Sequence, residues 1–234
     1  MELIFRDDSY LRECSATVLS ADPGGVRLDR TVFYPMGGGQ PGDAGRLLWN
    51  GGETTIADTH KGERHDDVTH LPAEGAALPA VGAEVRAVLD WERRHRLMRM
   101  HTALHLLCSL VPGDVTGGQI GDGKSRLDFN IAGDQIDKEA LQASLNAIVA
   151  ADHAVRTRWI SEEELAQTPE LVRTVSVKPP NGAGRVRMVE IAGVDLQPCG
   201  GTHVRSTAEI GGLRIGKVEN KGRQNRRINV HLDN

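Results

Sequence analysis

Aromatic side chains are scarce in this sequence. Its 234 residues include three Trp, two Tyr and three Phe, only 3% of the chain, so any nucleic-acid binding would owe little to base stacking. Cysteine is just as sparse: Cys14, Cys108 and Cys199 stand far apart. The opening MELIFRDDSY has neither a basic leader nor an apolar run of signal-peptide length. Together these features read as a reduced, cytoplasmic protein. The densest apolar stretch, Ala103 to Val111, is broken by His105 and Ser109. It falls far short of the roughly 20 residues of a membrane span, so no membrane segment is expected. A strong net charge is also missing. At −4, the surface as a whole does not attract a polyanion, and nucleic-acid contact would need a local basic patch.

What is present suffices for a proper core. The chain is 39% hydrophobic and 26% charged, which excludes wholesale disorder and leaves room for two modest domains. Up to about Asp90, short β-favouring runs lie at Cys14–Ser20, Val26–Leu28, Thr31–Tyr34, Arg46–Trp49, Thr54–Asp58 and Val85–Leu89, separated by Gly- and Pro-rich turns. This pattern predicts a small barrel or curled sheet. After Asp90 the period becomes helical through Leu97, Met98, Met100, Ala103, Leu104, Leu107, Cys108 and Val111, and Pro112-Gly113 ends it. Asp137 is a good N-cap for a second helix to about Ala151, and Ser161 with Glu164 forms a capping box for a short third. Strands are expected at Arg126–Ile131, Val155–Ile160, Val186–Ile191, Leu213–Val218 and Arg226–Leu232. The second half therefore reads as α+β, with helices on a mostly antiparallel sheet. Residues 1–90 would form one domain and 91–234 another.

His101 and His105 are four apart on the predicted first helix, so they share a face and could hold one ion. Alone, such a pair is more often packing or surface. Cys199-Gly200-Gly201-Thr202-His203 adds a thiolate and an imidazole at the same spacing, in a loop that Pro198 and two glycines could turn inward. One Cys and three His form a borderline-soft set that suits zinc better than magnesium or calcium. Cys108, one turn after His105, reads as a small buried hydrophobe rather than a fifth ligand.

HTALHLL at 101–107, PCGGTHV at 198–204 and ENKGRQNRRI at 219–228 resemble the editing domain of alanyl-tRNA synthetases and its free-standing relatives, the AlaX alanyl-tRNA editing proteins. VFYPMGGGQPGDAG at 32–45 resembles the glycine-rich motif of the longer AlaX proteins. The resemblance implies a β-barrel similar to those of translation factors over residues 1–90, and over 91–234 an editing domain of the kind shared with threonyl-tRNA synthetases. It also implies a trans-acting deacylase without aminoacylation machinery, of the medium-length AlaX type, that acts on the acceptor end of tRNA(Ala) carrying serine or glycine. Zinc held by His101, His105, Cys199 and His203 would be its cofactor.

Several further residues carry expectations. Thr116, in DVTGGQIGDG after the metal helix, lies roughly where the family places a specificity threonine or glutamine, with Gln119 as second choice; each could equally be an ordinary polar loop residue. Gly38, Gly39 and Gln40 could bring backbone close to a phosphate or ribose, or simply form a hairpin turn. Arg93, Arg94, Arg96 and Arg99, with Lys221, Arg223, Arg226 and Arg227, could supply the basic patch, above all Arg93, Arg96 and Arg226. Four protein ligands describe a closed zinc site, whereas catalytic zinc keeps a position open. The expectation is therefore three firm ligands, with His203 displaceable or behind the others. Two rival readings remain. A zinc peptidase would need the glutamate of H-E-x-x-H, which H-T-A-L-H lacks. An RNA-binding module with structural zinc would bind tRNA without cleaving its ester.

Overall fold

The computed structural model describes residues 1–62, 64, 66–131, 136–173 and 184–233. The chain divides into two compact units, Met1–Arg96 and Leu97–Asn234, and its architecture is α+β.

The first unit carries β1 (Glu2–Leu3), β2 (Glu13–Asp22), β3 (Gly25–Leu28), β4 (Arg30–Thr31), β5 (Gly45–Trp49), β6 (Gly52–Lys61), β7 (Val68–Pro72) and β8 (Glu84–Leu89). Six of them close into a barrel in the order β2-β3-β7-β6-β5-β8, while β1 pairs in parallel with β4. Side chains alternate across a strand, so in β8 Val85, Ala87 and Leu89 turn inward while Glu84 and Arg86 face out. Val18, Val26, Leu28, Phe33, Leu47 and Ile56 complete the core.

The strand expected over Thr31–Tyr34 is shorter than its β-branched and aromatic content suggested. Only Arg30 and Thr31 pair with another strand. The buried Val32, Phe33 and Tyr34 pass instead into a turn fastened by a side chain: Tyr34 N–H donates to the Asp43 carboxylate at 2.6 Å, and Asp43 N–H to the Tyr34 carbonyl at 2.9 Å. A carboxylate has here taken the place of a ladder partner.

The sequence has His70 amid a short run ending in Pro72, and no strand is expected there. β7 forms nonetheless, because His70 is satisfied inside the barrel. Its Nδ1 is 2.9 Å from the Val26 carbonyl and its Nε2 2.8 Å from Thr31 Oγ1.

Helix α1 (Trp91–Leu110) starts at Asp90, whose carboxylate accepts from Arg93 N–H at 3.1 Å. In the second unit follow β9 (Asp114–Gln119), β10 (Lys124–Asn130), α2 (Lys138–Ala150), β11 (Val155–Ser161), α3 (Glu162–Ala166), β12 (Arg185–Ile191), β13 (Asp195–Pro198), β14 (Leu213–Asn220) and β15 (Asn225–Leu232). They form two antiparallel sheets, ordered β14-β15-β10-β9 and β11-β12-β13. The expected caps are in place: Asp137 accepts from Ala140 N–H and Ser161 from Glu164 N–H.

Edge strand β14 is covered by α2. Asn146 exchanges two hydrogen bonds with the Leu213 backbone, and Gln142 accepts from Ile215 N–H. Such clasps satisfy backbone groups that could otherwise pair with another chain. No helix of the described residues is long and apolar enough to cross a membrane.

Candidate metal centre

α1 is buried on nearly every side between Leu97 and Cys108, so His101 and His105 project from a rigid support. The second pair comes from the loop after β13. The β12–β13 hairpin sets Val189 opposite Gln197 and Met188 opposite Pro198, which delivers Cys199 just beyond the strand end. Arg187, buried on β12, donates from one Nη1 to the carbonyls of Cys199 and Gly201, both at 2.9 Å. Gly201 N–H points at the Cys199 sulfur at 3.4 Å. A loop with two glycines is costly to order, and the guanidinium holds it.

The ligand atoms of His101, His105, Cys199 and His203 lie within 4.8 Å of one another, and the group could hold a metal ion. Cys199 Sγ is 3.5 Å from His101 Nε2 and 3.3 Å from His203 Nε2. Zinc bonds of about 2.3 Å to sulfur and about 2.0–2.1 Å to nitrogen would separate such ligands by about 3.5 Å around a four-coordinate ion. The donor set fits zinc in chemistry, and the two separations from Cys199 match that spacing.

Groups behind the ligands fix which nitrogen faces inward. His105 Nδ1 lies 2.9 Å from Asp195 Oδ2. A carboxylate only accepts, so Nδ1 carries the hydrogen and Nε2 is left for the centre. Thr102 Oγ1 donates to the Met98 carbonyl and lies 3.1 Å from His203 Nδ1, so it accepts there too. His203 therefore stands within the group alongside the other three, which leaves the displaceable one of its two expected places and not the one behind the ligands.

Burial alone would lower the His105 pKa, but hydrogen bonds to Asp195 and Cys199 outweigh it and raise it to about 10. Burial opposes ionisation of Cys199, yet the facing His101 and His203 hold its thiol well below the ordinary range. Burial, with His101 adding to it, lowers His203 to about 3. Burial pushes Cys108 up to about 12, and it remains a buried thiol as expected.

The remaining candidates are dispersed. Thr116 and Gln119 lie on β9, not in a loop. Gly117 and Gly118 extend without strain because β10 pairs along their length. Thr116 is the extra residue of a bulge, between Val115 opposite Phe129 and Gly117 opposite Asp128. Its hydroxyl donates to the Asp128 carbonyl at 3.2 Å and accepts from the Asn225 amide at 3.2 Å. Gln119 is exposed.

Gly38 and Gly39, at φ +57° and +82°, form the tip of a two-residue turn closed by paired hydrogen bonds between Gly37 and Gln40. Gln40 is fully buried.

Several of the arginines expected to form a patch have partners within the protein. Arg94 is completely buried and bound to Asp43, Ser9 and Val32. Arg93 donates to the Gly42 carbonyl, Arg99 to that of Ile210, and Arg227 pairs with Asp128 at 2.7 Å. Arg96 is half-buried, and Arg226 donates to the Gly222 and Asn225 carbonyls of its own hairpin.

A family model described as the threonyl and alanyl tRNA synthetase second additional domain matches residues 186–229, which hold Arg187, Asp195, Cys199 and His203. Another, described as tRNA synthetases class II (A), matches residues 7–93. The alanyl-tRNA editing protein AlaX-M of Methanosarcina acetivorans is 36% identical over 237 residues, covering 97% of each chain. This chain belongs to the AlaX alanyl-tRNA editing proteins. An AlaX-L protein of Pyrococcus horikoshii is 33% identical over 97% of this chain and 57% of its own length. An alanine–tRNA ligase of Pyrobaculum neutrophilum is 36% identical over 92% of this chain but only 25% of the ligase. This AlaX chain thus corresponds to one portion of a much longer synthetase.

Asp195, Gln197, Thr102 and Arg187 are not among the expected site residues. A signal for two of them was available: Asp195, Gln197 and Cys199 alternate, which on a strand puts them on one face.

Proposed function

We propose that this protein is a trans-editing hydrolase that deacylates mischarged tRNA(Ala), with seryl-tRNA(Ala) as its main substrate and glycyl-tRNA(Ala) as a second. Membership of the AlaX proteins supports the substrate class. The observation that carries the chemistry is the convergence of His101, His105, Cys199 and His203. Zinc is the ion their chemistry favours, and when bound it supplies Lewis-acid polarisation of the ester carbonyl or an activated water.

A small aminoacylation pocket cannot strongly reject serine, which merely adds a hydroxyl to alanine. A second site can discriminate by hydrogen-bonding that hydroxyl. We assign this role to Thr116, with Gln119 as the alternative. The Thr116 proton already goes to the Asp128 carbonyl, so its oxygen would accept from the serine hydroxyl. Residues 1–90, through Gly38, Gly39 and Gln40, would meet the terminal ribose or phosphate, while 91–234 carries the hydrolysis. Arg93, Arg96 and Arg226 would contact the acceptor-end backbone. The free cysteines agree with a reducing cytoplasm.

The test is release of labelled serine, glycine and alanine from tRNA(Ala) by purified protein. Serine should leave fastest and alanine slowest. His101→Ala or Cys199→Ala should abolish release together with bound zinc. Tight tRNA binding with no acceleration of ester loss would instead make the protein an RNA-binding module, in keeping with four protein ligands as a closed zinc site.

A further inference from the structure

The buried charge around the four ligands does not stop at Cys199. Asp195 has a side chain only 6% exposed, against a His105 side chain 9% exposed. Among the described residues it forms no ion pair with an arginine or lysine, although a buried carboxylate is costly unless its charge is compensated. Its contacts are His105 Nδ1 at 2.9 Å and the Gln197 amide, which donates to both carboxylate oxygens at 2.8 and 3.0 Å. Gln197 is itself buried. With Gln197 two residues along the same face of β13, strand geometry rather than side-chain flexibility sets the direction of the carboxylate.

We propose that Asp195, clamped by Gln197, is a positioning and charge-balancing residue of the metal centre, acting through His105. Two physical consequences follow from its place. As a pure acceptor it fixes the hydrogen of His105 on Nδ1, so Nε2 meets the ion without a rotamer search. Its charge also completes a sum: a divalent cation, the Cys199 thiolate and the Asp195 carboxylate add to zero with three neutral imidazoles. Without the carboxylate the same group would enclose a net positive charge, which burial penalises. The proposal rests on the four-ligand group being a metal site, and it concerns the affinity of that site rather than any step of hydrolysis.

The experiment is competition for Zn2+ between the full-length protein and a chromophoric chelator, comparing wild type with Asp195→Asn, Asp195→Ala and Gln197→Ala. Groups behind metal ligands commonly change affinity 10–100-fold. Asp195→Ala should weaken zinc binding by about that factor. Asp195→Asn, which keeps the volume but loses the charge, should fall between it and wild type. Gln197→Ala should cost less than either, because the carboxylate remains. Cobalt-substituted Asp195→Asn should keep the thiolate charge-transfer band of wild type at saturating metal, since the four ligands are unchanged, and circular dichroism should verify the fold of each variant. Wild-type affinity in a folded Asp195→Asn and Asp195→Ala would overturn the proposal. So would loss of the cobalt–thiolate band in Asp195→Asn, which would mean that the ligand set itself had collapsed. A wild-type protein that fails to compete for zinc at all would overturn the metal reading instead, a separate outcome.

Discussion

Arg94 and Asp43 form an ion pair closed off from solvent, with side chains 0% and 1% exposed. The guanidinium meets both carboxylate oxygens and also donates to the carbonyls of Ser9 and Val32. The carboxylate turns its other contact on Tyr34 N–H. The pair thus anchors the glycine-rich segment and the first turn of α1 to the barrel.

Breaking it from one side should be severe. Arg94→Met should lower unfolding free energy by about 3–5 kcal/mol, because Asp43 is left buried and unpaired. Urea denaturation of the two single variants and of Arg94→Met/Asp43→Leu would measure it. The double variant should be less destabilised than the sum of the singles. Additive losses would mean that the two groups do not act as a pair.

Much of this arrangement was written in the sequence, though unevenly. The alternation in Glu84–Leu89 and the caps at Asp137 and Ser161 predict elements that the fold contains, because each rests on a local rule. β9, β7 and β13 escape such rules. β9 contains two glycines, β7 a buried histidine and β13 only four residues, and each is held by its neighbours rather than by its own propensity. The arginine run before His101 shows the opposite failure. Arg94 reads as a cation for phosphate, but its partner Asp43 is 51 residues away, and no local pattern announces that pairing. The four residues of the candidate centre were legible because two spacings of four can be read directly, whereas Thr102 and Arg187, which stand behind them, carry no such local signal.

Burial is the main cause lowering the pKa of His70, against the opposing Val26 carbonyl and Asp43, from 6.5 to about 4. Between these values the unfolded chain binds a proton that the folded chain refuses, so stability rises with pH across this window and is lost on acidification. About 3 kcal/mol should disappear between pH 7 and pH 4 from this group. Denaturant titrations at intervals of pH should show it as a slope in wild type that flattens in His70→Asn; parallel slopes would assign the acid lability elsewhere.

If Thr116 accepts from the serine hydroxyl, Thr116→Val should slow serine release by about tenfold, the equivalent of about 1.4 kcal/mol. Glycine and alanine release should change little, and Thr116→Ser should restore the preference. Equal slowing of all three would make the residue a support of the β9 bulge. Unchanged serine release would transfer the role to Gln119.

Alanine at Arg96 or Arg226 should weaken tRNA binding and reduce its dependence on salt by about one counterion each, with zinc content intact. Filter binding across a salt series reads both quantities. Identical slopes for all variants would leave these arginines as solvated surface.

Arg187 reaches from the neighbouring strand to hold both the Cys199 and Gly201 carbonyls, which bears on how portable the motif is. The six residues PCGGTH carry two of the four candidate ligands but not the means of presenting them. Grafted into an unrelated scaffold without an arginine at the matching cross-strand position, they would sample many loop shapes and hold a metal ion weakly. The transplantable part is the hairpin: β12 and β13, with the loop they brace.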